Sequence, residues 1–140
     1  MEEVTPQATQ QVTEWSSVLP VSPQAKQRPR VNRNGITWTP ENTRTAEMEI
    51  RHYLLHRGAP KLEGPLEVVL TFNLVRPKSI TEKKRPWPAV KSDLDNYIKL
   101  VCDAANSILW PDDSAICILH ATKQYAETAS IEITVRVIKK

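Results

Sequence analysis

The chain has no run of about 18 apolar residues, so no segment reads as a membrane-spanning helix. It has only two cysteines, Cys102 and Cys117, fifteen positions apart. That spacing is neither a CxxC pair nor a zinc pattern. Both are expected as small buried side chains. The opening residues, Met-Glu-Glu-Val-Thr-Pro-Gln, lack the basic start and apolar centre of a secretory signal. A reducing, cytoplasmic setting is the expectation. No internal repeat is visible. No Ser-His-Asp or Cys-His arrangement is apparent. His52 and His56 have i, i+4 spacing but no third ligand nearby in sequence, so both are expected on an exposed helix face.

What is present fits one soluble domain. The chain has 140 residues, 40% hydrophobic and 25% charged. That length buries enough apolar surface to fold without a disulfide or structural metal. Net charge is +3 and the pI about 9.0. The charges are segregated. Lys26, Arg28, Arg30 and Arg33 form one basic stretch without an acid. Arg76, Lys78, Lys83, Lys84, Arg85 and Lys91 form a second, opposed only by Glu82. The sign then reverses, with Asp93, Asp95, Asp103, Asp112 and Asp113 against Lys99. Basic stretches beside a knot of carboxylates suit a metal-dependent enzyme acting on a polyphosphate.

Residues 1–14 are polar and read as a flexible tail, leaving 15–140 as the folded domain. Trp15 to Pro20 suggests a short first strand. Asn34-Gly35 marks a hairpin between Arg30-Val31 and Ile36-Thr37-Trp38. Thr39-Pro40-Glu41 opens a helix, with threonine as cap and proline at the first helical position. Ala46, Ile50, Tyr53 and Leu54 recur at helical spacing, and Gly58 with Pro60 ends the run. Leu66, Val68, Leu70, Phe72 and Leu74 alternate with less apolar residues, as in a strand with one core face. The basic segment 76–91 holds Pro77, Pro86 and Pro88 and is expected as an exposed loop. Leu94, Tyr97, Ile98, Val101 and Ala105 mark a second helix. Alternation from Ile116 to Ala121 and from Ile131 to Val137 predicts two closing strands. The fold class is α+β, a small mixed β-sheet carrying two helices.

The acids are placed by this frame. Asp93 and Asp95 sit where the second helix begins, and its dipole helps keep both ionised. Ionised oxygens suit Mg²⁺, a hard cation. Asp95, Lys99 and Asp103 follow at i, i+4 and i+8 and share a polar face, with Asp103 expected as the partner of Lys99. For Asp113 to join Asp93 and Asp95 the helix must end early. Unbroken to Leu109 it would be about 24 Å long; stopping near Asn106-Ser107 it is about 17 Å. Asn106 tolerates the left-handed conformation that ends helices. The expectation is a stop there, with Ile108-Leu109-Trp110 returning extended against the helix and the three aspartates converging on one ion.

The ordered motifs Lys91-Ser-Asp-Leu-Asp-Asn-(x2)-Lys99, Asp103-Ala, Ile108-Leu-Trp-x-Asp-Asp-Ser-x-Ile116 and Leu119-His-Ala-x-Lys-x-Tyr125 closely resemble the RusA family of Holliday junction resolvases. The resemblance runs from about Val18 to the C-terminus. It implies a Mg²⁺-dependent homodimer, with Mn²⁺ able to substitute, that cuts four-way branched DNA by paired symmetric nicks. Such endonucleases are often phage- or prophage-encoded and work in the bacterial cytoplasm. The resemblance maps the catalytic, metal-binding acids to Asp93, Asp95 and Asp113, and the helix lysine to Lys99. Asp112 and Asp103 stand behind them as supporting acids. Lys26, Arg28 and Arg30, then Lys83, Lys84 and Arg85, are the candidate DNA contacts. Lys123 fits the family's late basic position as a further one. Trp87 is a candidate for stacking on a base. The chain departs from the family in carrying Ser92 where proline usually precedes the first aspartate, and Ser107 where glycine often follows the asparagine. Two other readings remain on the residues alone: a metal-dependent nuclease for flaps or other branched DNA, and a non-catalytic branched-DNA-binding protein. The second is disfavoured, because carboxylates facing DNA without a metal repel phosphates.

Overall fold

Alternation of large aliphatic residues makes the central strand. Leu66, Val68, Leu70 and Phe72 are all fully buried on one face of Leu66–Leu74. The computed structural model describes residues 12–27, 30–38 and 40–139, and its elements are numbered here in chain order. They are β1 (Glu14–Leu19), β2 (Arg30–Val31), β3 (Thr37–Trp38), α1 (Glu41–His56), β4 (Leu66–Leu74), α2 (Leu94–Ala105), β5 (Ile116–Tyr125) and β6 (Ser130–Val137). Most of the tail predicted over residues 1–14 lies outside the described residues.

The main sheet has the order β1-β6-β4-β5. β4 pairs antiparallel with β6 and parallel with β5, so the sheet is mixed as expected. β2 and β3 form a separate hairpin. Its loop is five residues long and is organised by Asn32, whose side-chain oxygen accepts from the backbone N–H of Asn34 and of Ile36. Gly35 supplies the positive φ of 77° that this turn needs.

Both helices contribute to one core with β4 and β6. Ile50 and Leu54 of α1 and Leu100, Val101 and Ala105 of α2 are buried with Ile131, Ile133 and Val135 of β6. The rings of Phe72 and Tyr97 stack at 5.4 Å and lock β4 to α2. Away from this core, Glu67 meets His120 at 3.2 Å and Arg136 at 3.6 Å.

Three local expectations are corrected. α1 begins at Glu41 with Pro40 itself in the cap position and no side-chain cap; Thr39 lies outside the described residues. β5 exists but forms the sheet edge: Ile116 and Ala121 pack against the core, whereas Cys117, Ile118, Leu119 and His120 between them are all exposed in succession. Cys117 is therefore exposed, and only Cys102 is buried.

α2 does stop where predicted, at Ala105. The left-handed residue is Ser107, with φ of 72°, and Asn106 keeps φ of −57°. Asn106 has another task, accepting the indole N–H of the fully buried Trp110 at 2.8 Å. The segment after the helix is not an extended return. Ser107 N–H donates to the Trp110 carbonyl, and Ile108 and Leu109 N–H both donate to the Ala105 carbonyl, closing a compact turn.

Candidate active site

Every acid singled out in the sequence lies on α2 or on the turn that leads into β5. Asp93 is the N-cap residue of α2, with extended φ and ψ of −70° and 141°, and its side chain makes no capping hydrogen bond. Its carbonyl instead accepts from Asn96 N–H at 3.1 Å. The exposed Asp93 carboxylate is thus left facing outward rather than folded back onto the helix. Asp95 occupies the first turn and is exposed as well. Lys99 lies one turn further on and is exposed.

The rest of the acidic face is already engaged. Asp103 pairs with Lys26 at 2.5 Å, not with Lys99 as its i+4 spacing suggested. Lys26 also meets Glu47 of α1 at 3.1 Å. Burial alone would lower the Lys26 pKa, but hydrogen bonds to Asp103 and Glu47 and their charges hold it above the ordinary lysine value. Lys26 is therefore a tie between the first basic stretch and both helices. Its backbone N–H donates to the Asn96 carbonyl, which holds the same stretch across the start of α2.

Asp112 caps the short 3-10 turn over Asp113–Ala115, accepting from Ser114 N–H at 3.1 Å. Hydrogen bonding to Ser114 lowers its pKa below the usual carboxylate value. Asp113 is the first residue of that turn and is half-buried. Its charge is felt at Cys102, whose pKa is pushed up to about 12 by burial first, then by Asp113 and Asp103.

Among the described residues, no set of three or more His, Cys, Asp or Glu side chains lies close enough together to hold a metal ion. The pair Asp93 and Asp95 has the donor chemistry a divalent ion wants. Mg²⁺ commonly takes one or two protein carboxylates and completes its shell with water and substrate phosphate.

The remaining basic candidates divide. Lys83 and Lys84 are exposed in the loop between β4 and α2, and Arg85 is half-buried with its carbonyl held by Arg76 at 3.1 Å. Trp87 in the same loop is exposed. The side chains of Arg28 and Arg30 lie outside the described residues. Lys123 turns its ammonium onto two backbone carbonyls, those of Val90 at 2.7 Å and Ser92 at 2.9 Å. That contact spans more than thirty residues of sequence, and its only sequence signature is a lysine on a strand beside a proline-rich loop. A cavity of about 320 Å³ lies under this loop, lined by Leu74, Arg85, Pro88, Val90, Tyr97 and Tyr125. Arg76 stacks over the Tyr125 ring at 4.5 Å to the centroid. His52 and His56 pack ring to ring at 4.2 Å on α1 and belong to no metal-binding group among the described residues.

Comparison with known proteins agrees with the residue pattern. The chain is similar to a protein of Bacillus subtilis (strain 168) described as uncharacterized protein YqaN, with 31% identity over 90 residues. The match covers 58% of this chain and 63% of YqaN, somewhat under two thirds of that relative's length. The family model described as Endodeoxyribonuclease RusA matches residues 20–136, which include both helices, the acidic turn, β4, β5 and all but the last residue of β6. The chain therefore belongs to the RusA endodeoxyribonuclease family.

Proposed function

We propose that this protein is a Mg²⁺-dependent endodeoxyribonuclease that resolves four-way DNA junctions by paired, symmetric nicks. The observation that carries the reading is the start of α2, where Asp93 and Asp95 stand exposed and uncapped within the region matched by the family. These two carboxylates would hold the ion, with Asp113 as the third acid of the family pattern. When bound, a divalent ion activates water and neutralises charge building on the phosphate. Mn²⁺ is expected to substitute for Mg²⁺.

The chain's own residues supply the rest. Asp93 and Asp95 sit beside the positive end of the α2 dipole, which favours negative charge there. Lys99, one turn along the same face, offers an ammonium to the scissile phosphate and steadies the charge that grows there. Lys83, Lys84 and Arg85, with Arg28 and Arg30, contact the backbone phosphates, so binding is salt-dependent and driven by shape. Lys26 belongs to that basic set but acts as its anchor on α1 and α2. Asp103 and Asp112 support the site, one through Lys26 and one by capping the Asp113 turn.

A junction with two-fold symmetry needs two sites, and a homodimer supplies them. The edge strand β5 supports that arrangement, since Ile118 and Leu119 are 41% and 40% exposed on an unpaired ladder. Among the described residues no helix is long and apolar enough to cross a membrane. We place the enzyme in the cytoplasm, host- or phage-encoded, with residues 15–140 as the working domain.

The test is to incubate the protein with a synthetic mobile four-way junction, a flap and a linear duplex, with and without Mg²⁺, and to map the nicks. Symmetric nicks in the junction alone, only with metal, are the expected result. Equal or faster cutting of the flap replaces junction resolution by a broader branched-DNA nuclease. Metal-independent binding without nicks to any substrate defeats the enzymatic reading.

A further inference from the structure

We propose that Lys123 is a positioning residue for the acidic helix start rather than a DNA contact. The proposal rests on the reading of Asp93 and Asp95 as metal-holding carboxylates.

The loop over residues 75–93 connects β4 to α2 without any strand or helix, and Pro77, Pro86 and Pro88 remove backbone donors from it. Its last stretch is held weakly by its own backbone. Ala89 and Val90 N–H make tight bonds to the Trp87 and Pro88 carbonyls, but among the described residues no backbone N–H reaches the carbonyls of Val90 or Ser92. Both carbonyls are taken by a single side chain, the ammonium of Lys123.

The other end of that side chain is rigid. Lys123 sits inside β5, in register with Phe72 of β4, and Phe72 is fully buried and stacked on Tyr97 of α2. The ammonium therefore ties the loop end to the same strand pair that carries α2. Ser92 is the residue immediately before Asp93, so its carbonyl is one peptide unit from the first acid. An ammonium has three donors, and two are committed to these carbonyls. A lysine serving mainly as a phosphate contact would project its head group into solvent, whereas Lys123 is half-buried and turned inward. Groups that orient metal ligands without touching the metal typically alter metal affinity or activity by about 10–100-fold when removed.

The experiment compares wild type, K123M and K123R. K123M keeps the aliphatic stem and removes the donors; K123R restores donors. Three quantities are read: binding to a four-way junction in EDTA across a salt series, Mn²⁺ binding to the DNA-free protein followed by the EPR signal of free Mn²⁺, and amide hydrogen exchange over residues 90–96. In K123M, junction affinity and salt slope should stay within about twofold, since the positioning role leaves phosphate contacts intact. Mn²⁺ affinity should fall about 10-fold or more. Exchange at residues 90–96 should quicken, and K123R should recover part of both losses. Nicking should follow, with half-maximal rate needing about 10-fold more Mg²⁺.

A K123M protein that loses junction binding and salt slope while keeping Mn²⁺ affinity and exchange rates is a DNA-contact variant, and the proposal falls. Unchanged exchange over 90–96 also overturns it, whatever happens to nicking. Should wild type bind Mn²⁺ but cut no branched DNA, the functional reading fails separately, and the metal and exchange comparisons still decide the role of Lys123.

Discussion

The ammonium of Lys26 stands 2.5 Å from Asp103 and 3.1 Å from Glu47, so one cation closes the angle between α1 and α2 from outside the core. All three side chains are about a quarter exposed or less-than-third exposed, which screens the pair only partly. K26M should destabilise the fold by about 1 kcal/mol, and a double-mutant cycle with D103N should recover coupling of that order. The Lys26 pKa is raised on folding, so its contribution is complete below the unfolded lysine value of about 10.4 and is lost as pH climbs through the folded value. Urea titrations at pH 7 and above pH 11 check both statements. A coupling of zero at pH 7 removes the tie.

Asp93 and Asp113 test the acids separately. D93N and D113N should each abolish nicking while junction binding persists or tightens, because a neutral amide removes both a ligand and a repulsive charge. D113N is the sharper variant, because it asks whether the acid of the 3-10 turn belongs to the site at all. Normal cutting by D113N would restrict the metal site to Asp93 and Asp95.

Lys99→Ala should slow cleavage far more than it weakens binding. The measurement is single-turnover nicking at saturating protein. An unchanged single-turnover rate with reduced affinity would make Lys99 a DNA anchor. Replacing Lys83, Lys84 and Arg85 together with glutamine should act in the opposite sense, weakening binding to every DNA shape and flattening the salt dependence. A salt slope equal to that of wild type takes this loop out of the interface.

The two thiols should differ in reactivity. Cys117 is exposed and should be alkylated by iodoacetamide within minutes at pH 8, whereas Cys102, buried and with its pKa pushed up to about 12, should react only on unfolding. The raised value also predicts loss of stability on the alkaline side. Between pH 9 and 12 the unfolded thiol ionises before the folded one, so C102A should flatten the fall in stability there. Labelling counted by mass spectrometry and alkaline melts are the checks; two equivalents taken up at pH 8 by folded protein would contradict the burial.

Ser107 holds φ of 72° without being glycine. S107G should relieve about 1 kcal/mol of left-handed strain, set against the greater unfolded-state entropy of glycine, about 0.4–1 kcal/mol, for a net gain of at most about 0.6 kcal/mol. Trp110→Ala next to it should cost about 3–5 kcal/mol through lost burial and an orphaned Asn106 oxygen. Thermal unfolding of both variants settles the sign of each.

Legibility in the sequence followed the range of the interactions. β4 was readable because its core face repeats every second residue, and α2 because Leu94, Tyr97, Val101 and Ala105 repeat at helical spacing between an acidic start and Asn106. The end of α2 was readable too, but the residue that turns the backbone was not, because Asn106 is drawn instead to the Trp110 indole. β5 was readable as a strand, but alternation in sequence cannot distinguish an edge from a centre. The partners of Lys26 and Lys123 lie up to 77 residues away, and no local pattern announces them. Asp103 illustrates the same limit: its i+4 neighbour was the reasonable partner, and a cation from a distant loop displaced it.

Parallel pairing between β4 and β5 has a kinetic consequence. Two parallel neighbours cannot be joined by a tight hairpin, so the whole crossover must be threaded before their ladder closes. Here the crossover is residues 75–115, and it contains every aspartate of the candidate site. Catalytic competence is therefore coupled to the slowest kind of contact formation, one with a long closing loop. During refolding, nicking activity should return no earlier than protection of the β4–β5 amides, which makes a partly folded chain harmless to the DNA around it.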